Sequence, residues 1–134
     1  MTHVSRKRLS EKSSQVLNEA LNHVFSNLKP NEVKKVLNTL LTKTEKQMLS
    51  KRIGIIHLLQ NKINESKIAE ATKTTNQTVS RIRLQLLEIP QESKKTLTKK
   101  LNSWKNINLL KSIINEVSKG IFSGSKLVYK RKRK

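Results

Sequence analysis

The chain has no cysteine and no aspartate, only three glycines and two prolines among its 134 residues, and 3% aromatics. Without cysteine there is neither a disulfide nor a thiolate metal site, a composition compatible with a reducing compartment. The three histidines, His3, His23 and His57, lack metal-ligand spacing, so no metal is expected, and His57 is expected to be a helix-surface or packing residue. Nothing in the chain resembles a paired-carboxylate, Ser-His or Gly-rich phosphate-loop arrangement, so catalysis and a catalytic cofactor are not expected. The scarcity of aromatics argues against RNA modules that stack bases on sheet aromatics. The single tryptophan, Trp104, falls on an apolar stripe and is expected in the core. No apolar run approaches the length of a membrane span, and Arg6-Lys7-Arg8 leads into Ser and Glu, so neither signal peptide nor membrane anchor is expected.

What is abundant is positive charge. Lys and Arg total 29 against nine acids, all Glu, for a formal net charge of +20. A polyanion is the natural partner, with nucleic acid ahead of a membrane surface. The length suits one modest core and no more.

The apolar pattern is helical throughout. Val16, Leu17, Ala20, Leu21, Val24, Phe25 and Leu28 form one amphipathic stripe, which Pro30 is expected to end. Asn31 is expected to cap a second helix with the stripe Val33, Val36, Leu37, Leu40 and Leu41. Thr42-Lys43-Thr44-Glu45 reads as a capping box opening a third helix, through Met48, Leu49, Ile53, Ile55, Ile56, Leu58 and Leu59. The density of apolar residues predicts a central buried helix, and Gly54 within it predicts a close backbone approach. With no strand signal, the fold class is all-α.

Two short segments then follow in quick succession, Ser66 to Thr72 and Thr75 to Leu87. Their logic is that of a helix-turn-helix: Ile68 and Val79 face each other, small Ala69 lets the helices cross, and Ile82 closes the bottom of the second helix. Thr74-Thr75-Asn76-Gln77 supplies a capping pattern. The turn carries Lys73 where Gly is usual and Thr74 where an apolar residue is commoner, so Lys73 must take a left-handed conformation or bend the turn differently, at a cost of roughly 1 kcal/mol. Beyond Pro90, Leu97, Leu101, Trp104, Ile107, Leu110, Ile113, Ile114 and Val117 predict one or two more helices ending at Gly120.

In a strongly basic chain this arrangement points to the DNA major groove. Asn76, Gln77, Ser80 and Arg81 fall near the start of the second helix and on one face. Amide side chains pair with adenine and Arg with guanine, each good pair giving about 1–3 kcal/mol of discrimination. Thr75, Thr78 and the helix-end amides suit phosphates, and Ser66, Lys67 and Lys73 are expected to meet the DNA backbone.

From Leu40 to about Leu87 the chain resembles the tryptophan repressor superfamily, on Leu41-Thr42, Glu45, Lys51-Arg52-Ile53 and Thr78-Val79-Ser80-Arg81. The resemblance implies an intertwined all-helical homodimer, in which the stripes of the first two helices are an interface and each subunit presents a reading head to successive major grooves. It also implies a possible effector site at Thr42, Arg52 and Arg81, where the namesake binds tryptophan between two Arg side chains. Tryptophan-responsive members carry Gly after the second Arg, and this chain has Ile82, a β-branched side chain expected to occupy the ligand's slot. The preferred reading makes Arg81 a phosphate or base contact and Arg52 a solvated helix residue, with no small-molecule effector.

The expected organisation is a basic arm (1–8), a Trp repressor-like helix-turn-helix domain (9–89), a C-terminal helical extension (90–119) and a disordered basic tail (120–134). Arm and tail, Arg6-Lys7-Arg8 and Lys126 to Lys134, are expected to add non-specific phosphate contacts. The expected function is a sequence-specific transcriptional regulator, a repressor of double-stranded DNA acting as a homodimer in the cytoplasm at the nucleoid. The alternatives are a non-specific architectural DNA- or RNA-binding protein and a tryptophan-responsive repressor.

Overall fold

The computed structural model describes residues 7–104 together with 107, 108, 112, 115 and 116. The expected tail, the arm before Lys7 and the stripe positions Leu110, Ile113, Ile114 and Val117 lie outside the described residues. Among the described residues the fold is all-α: α1 (Glu11–Phe25), α2 (Pro30–Leu40), α3 (Lys43–Gln60), α4 (Glu65–Thr72), α5 (Asn76–Glu88) and α6 (Gln91–Asn102), with no strand. None of these helices is long and apolar enough to cross a membrane. The chain divides into two compact units, Met1–Lys46 and Gln47–Lys134.

In the first unit, Ser10 caps α1, its Oγ accepting from the Ser13 N–H at 3.1 Å, and Glu11 in the first turn complements the helix dipole. The helix therefore starts ahead of its apolar stripe. It ends at Phe25, and Asn27 takes a left-handed φ of 59° just beyond. Pro30 does not end α1; it opens α2, because a first-turn residue needs no N–H partner and proline's fixed φ already suits the helix. Asn31 is accordingly inside α2 and not its cap. Lys29 takes the cap position, its N–H donating to Glu32 Oε1 at 3.2 Å.

The capping box at the start of α3 forms as the residues predict. Thr42 N–H donates to Glu45 Oε1 at 3.0 Å and Glu45 N–H to Thr42 Oγ1 at 3.1 Å. These contacts with Thr42 hold the Glu45 carboxyl below the usual glutamate range. No residue of α1 or α2 is buried: Val16 and Leu17 are 55% exposed, and Leu21, Val24, Phe25 and Leu40 are exposed as well.

The second unit holds the core. Ile55 and Leu58 of α3, Ile68 and Ala69 of α4, and Val79 and Ile82 of α5 form one buried cluster, flanked by Ile56, Leu59, Ile63, Ala71 and Leu86. Ile68 and Val79 are fully buried, as the helix-turn-helix reading requires. At about 25 cal/mol per Å² of apolar surface, such side chains contribute roughly 1.5–3 kcal/mol each.

Burial of α3 is confined to Ile55, His57 and Leu58, while Met48 and Leu49 are exposed. The expected central buried helix is thus buried in its second half alone, where the core residues of α4 and α5 cluster with Ile55 and Leu58. His57 is a packing residue, with Asn61 Nδ2 donating to its carbonyl at 2.8 Å. A Cβ on Gly54 would meet Thr72 Cγ2 at 3.9 Å, an ordinary contact, so the end of α4 passes near but forces no glycine.

Two turns end helices with lysine in the left-handed region. After α3, Lys62 has φ 60°, its N–H reaches Leu59 O at 3.0 Å and Ile63 N–H reaches Leu58 O at 3.2 Å. This is a Schellman closure whose following apolar residue, Ile63, packs on the core. At the other end, α6 stops at Asn102, which breaks the phase of the predicted stripe. Trp104 is consequently 46% exposed and not a core residue, whereas Ile107 is buried.

Candidate nucleic-acid interface

The helix-turn-helix is built from its caps. Asn64 Oδ1 accepts from Ser66 N–H at 2.8 Å and starts α4. At the far end Lys73 adopts φ 54°, ψ 49°, so of the two expected outcomes it takes the left-handed conformation and not a different turn. Thr74 N–H reaches Ala69 O at 2.9 Å and Lys73 N–H reaches Glu70 O at 3.4 Å, a second Schellman closure. Lys51 Nζ, from α3, donates to the Lys73 carbonyl at 3.2 Å and supports the turn. Thr74 is tolerated where an apolar residue is commoner because its hydroxyl lies 2.9 Å from that of Thr72, which donates to Ile68 O at 2.7 Å.

Thr75 caps α5, its Oγ1 accepting from Thr78 N–H at 3.2 Å. The cap thus sits one residue later than a box of Thr74 and Gln77 would place it, and Gln77 takes no part in capping. Along α5 the helical period separates two faces. Val79 and Ile82 point into the core, and Gln77 and Arg81, one turn apart, are exposed.

Around them, Ser66, Lys73, Thr75 and Asn76 are exposed, while Lys67, Thr78 and Ser80 are half-buried. The chain has no acid between Glu70 and Glu88, so the charged residues of the turn and of most of α5, Lys73, Arg81 and Arg83, are all basic. Ser80 is engaged within the motif: its hydroxyl donates to Glu65 Oε2 at 2.5 Å. The other oxygen of Glu65 pairs with Arg83 Nε. The hydrogen bond from Ser80, then that from Arg83, holds the Glu65 carboxyl below the usual glutamate range.

Glu65 and Arg83 therefore buckle the first turn of α4 to the middle of α5, a role that sequence reading missed. The partners are 15 and 18 residues apart, and no local spacing rule connects them.

Of the effector residues implied by the resemblance, Thr42 belongs to the first unit, where it caps α3; Arg52 and Arg81 belong to the second and are exposed. Ile82, which follows Arg81, is 5% exposed and part of the core. Among the described residues no cluster of three or more His or Glu side chains is placed to hold a metal ion.

The family model described as Trp repressor protein matches residues 15–101, from the first turns of α1 to the end of α6. No curated protein and no solved structure matches the chain. With the family match spanning most of the chain and an all-helical fold that carries the helix-turn-helix, the chain belongs to the Trp repressor protein family, a family of helix-turn-helix DNA-binding regulators.

Proposed function

We propose that this protein is a sequence-specific transcriptional regulator that represses by occupying a palindromic operator, with α5 in the major groove. The observation that carries the reading is the division of α5, with Val79 and Ile82 in the core and Gln77 and Arg81 exposed one turn apart. In the groove, the Gln77 amide pairs with an adenine edge and the Arg81 guanidinium with a guanine edge. Asn76 and Ser80 flank them, Thr75 and Thr78 face phosphates, and Ser66, Lys67 and Lys73 meet the backbone.

The regulator acts as a homodimer in the cytoplasm, on nucleoid DNA. Supporting this, Val16, Leu17, Leu21, Val24 and Phe25 of α1 are exposed among the described residues, an apolar concentration of the kind that subunit contacts cover. The helix-turn-helix domain spans 9–89, the extension 90–119, and the arm (1–8) and tail (120–134) add non-specific phosphate contacts.

The test is selection of bound sequences from a random duplex pool. A regulator of this kind enriches a two-fold symmetric motif and keeps a large specific-to-nonspecific ratio at physiological salt. A non-specific architectural protein enriches none, and that result would overturn the proposal.

A further inference from the structure

The helix after the reading head carries a cationic groove that the helix-turn-helix does not use. Between Gln60, the last residue of α3, and α6 lies a groove of about 570 Å³, lined on the α6 side by Gln91, Lys94, Lys95, Lys99 and Asn102. Thr98 Oγ1 donates to Gln60 Oε1 at 2.7 Å and fixes α6 against the end of α3. Asn64, the cap of α4, stands four positions after Gln60, so the groove borders the segment that leads into the helix-turn-helix.

The spacing of these positions is that of the inward stripe of an amphipathic helix, yet every one of them is polar. No acid lines the groove. Lys95 and Lys99 are a like-charged pair four residues apart, which works against the helix, while Glu92 three residues before Lys95 and the last-turn place of Lys99 work for it. Lys94 has an internal role, its Nζ donating to Leu86 O near the end of α5 at 3.1 Å. Lys95 and Lys99 are both exposed along this groove.

We infer that this face of α6 is a second DNA-backbone surface, with Lys95 and Lys99 neutralising phosphates beyond the stretch read by α5. Gln91 and Asn102, at the two ends of the row, offer neutral donors to the same strand. The surface carries affinity and footprint length and no sequence information, since phosphates are alike in every sequence. The inference rests on the DNA-binding reading and extends it to an element outside the helix-turn-helix.

The experiment compares wild type, the double variant Lys95→Gln/Lys99→Gln, its rescue Lys95→Arg/Lys99→Arg, and the control Lys67→Ala, each checked for unchanged helicity and melting. Binding to a duplex from the selected pool is titrated across salt concentrations, and hydroxyl-radical footprints are recorded. Each lost phosphate contact reduces the salt slope by about 0.9, so the double variant should lose close to two units and the Arg rescue should keep them. Its footprint should shorten at the outer edge, with the ratio of specific to non-specific affinity unchanged.

A folded double variant with the wild-type slope and footprint overturns the inference, and that result with a reduced slope in Lys67→Ala leaves the helix-turn-helix reading standing. A reduced slope in the double variant but not in Lys67→Ala upholds the inference and refutes the docking face proposed for α4 and α5. A wild-type chain that binds no duplex overturns both.

Discussion

Glu65, in the first turn of α4, accepts the hydroxyl hydrogen of Ser80, midway along α5, across 2.5 Å. Through its other oxygen it also holds Arg83, so one carboxylate ties the two helices of the helix-turn-helix together. Glu65→Ala should loosen α5 on α4 and weaken specific DNA binding more than non-specific binding, because base readout needs a fixed helix and phosphate attraction does not. The same carboxylate gives a pH signature. Its pKa in the fold is depressed, as is that of Glu45, so their stabilisation is present above the ordinary value of 4.5 and is lost as pH falls through the lower folded values. Melting temperature should fall below that point, and Glu65→Gln should flatten the acid limb. An unchanged limb in that variant would show that the buckle adds nothing to the fold.

Lys73 separates a structural cost from a binding role. Its left-handed backbone costs roughly 1–2 kcal/mol for a residue with a side chain, part of which glycine returns through a freer unfolded chain. Lys73→Gly should therefore raise stability by about 0.5–1 kcal/mol in denaturant titrations and lower the salt slope of DNA binding by about one unit. If stability rises and the slope stays, the lysine is there for the turn's surface and not for a phosphate.

Base contact and backbone contact are distinguishable on the same helix pair. Gln77→Ala should relax preference at one base pair by about 1–3 kcal/mol and leave the salt slope alone. Lys67→Ala should weaken all duplexes alike. Quantitative gel shifts on matched and mismatched sites would expose the error if both variants behaved as wild type.

The apolar stripe of α1, exposed among the described residues, predicts association. Leu17→Glu/Leu21→Glu places charge in the apolar row and should convert a dimer into monomer in sedimentation experiments, with loss of cooperative binding to a two-fold site. A wild-type chain that sediments as a monomer at micromolar concentration would remove the interface from the proposal.

Much of this architecture was legible in order along the chain. The apolar stripes announce the helices, Thr42 and Glu45 announce the box that opens α3, and Ile68, Val79 and Ile82 announce the core of the reading head, because each signal repeats at the helical period or acts within one turn. Pro30 reads locally as a helix stop and opens α2 instead, since a residue that stops one helix is also well suited to begin the next. Trp104 falls on the apolar stripe yet is exposed, because a stripe carries no record of where its helix ends.

The sequence alone determined charge, helical class and the place of the helix-turn-helix, all properties of residue type and of spacing over three or four positions. Only the tertiary structure decided that Glu65 grips Ser80 and Arg83, that burial in α3 is restricted to its second half, and that α6 turns lysines toward a groove. Those outcomes depend on which surfaces meet after the turns at Lys62 and Lys73 have redirected the chain, and contacts between residues far apart in sequence leave no periodic trace in either segment.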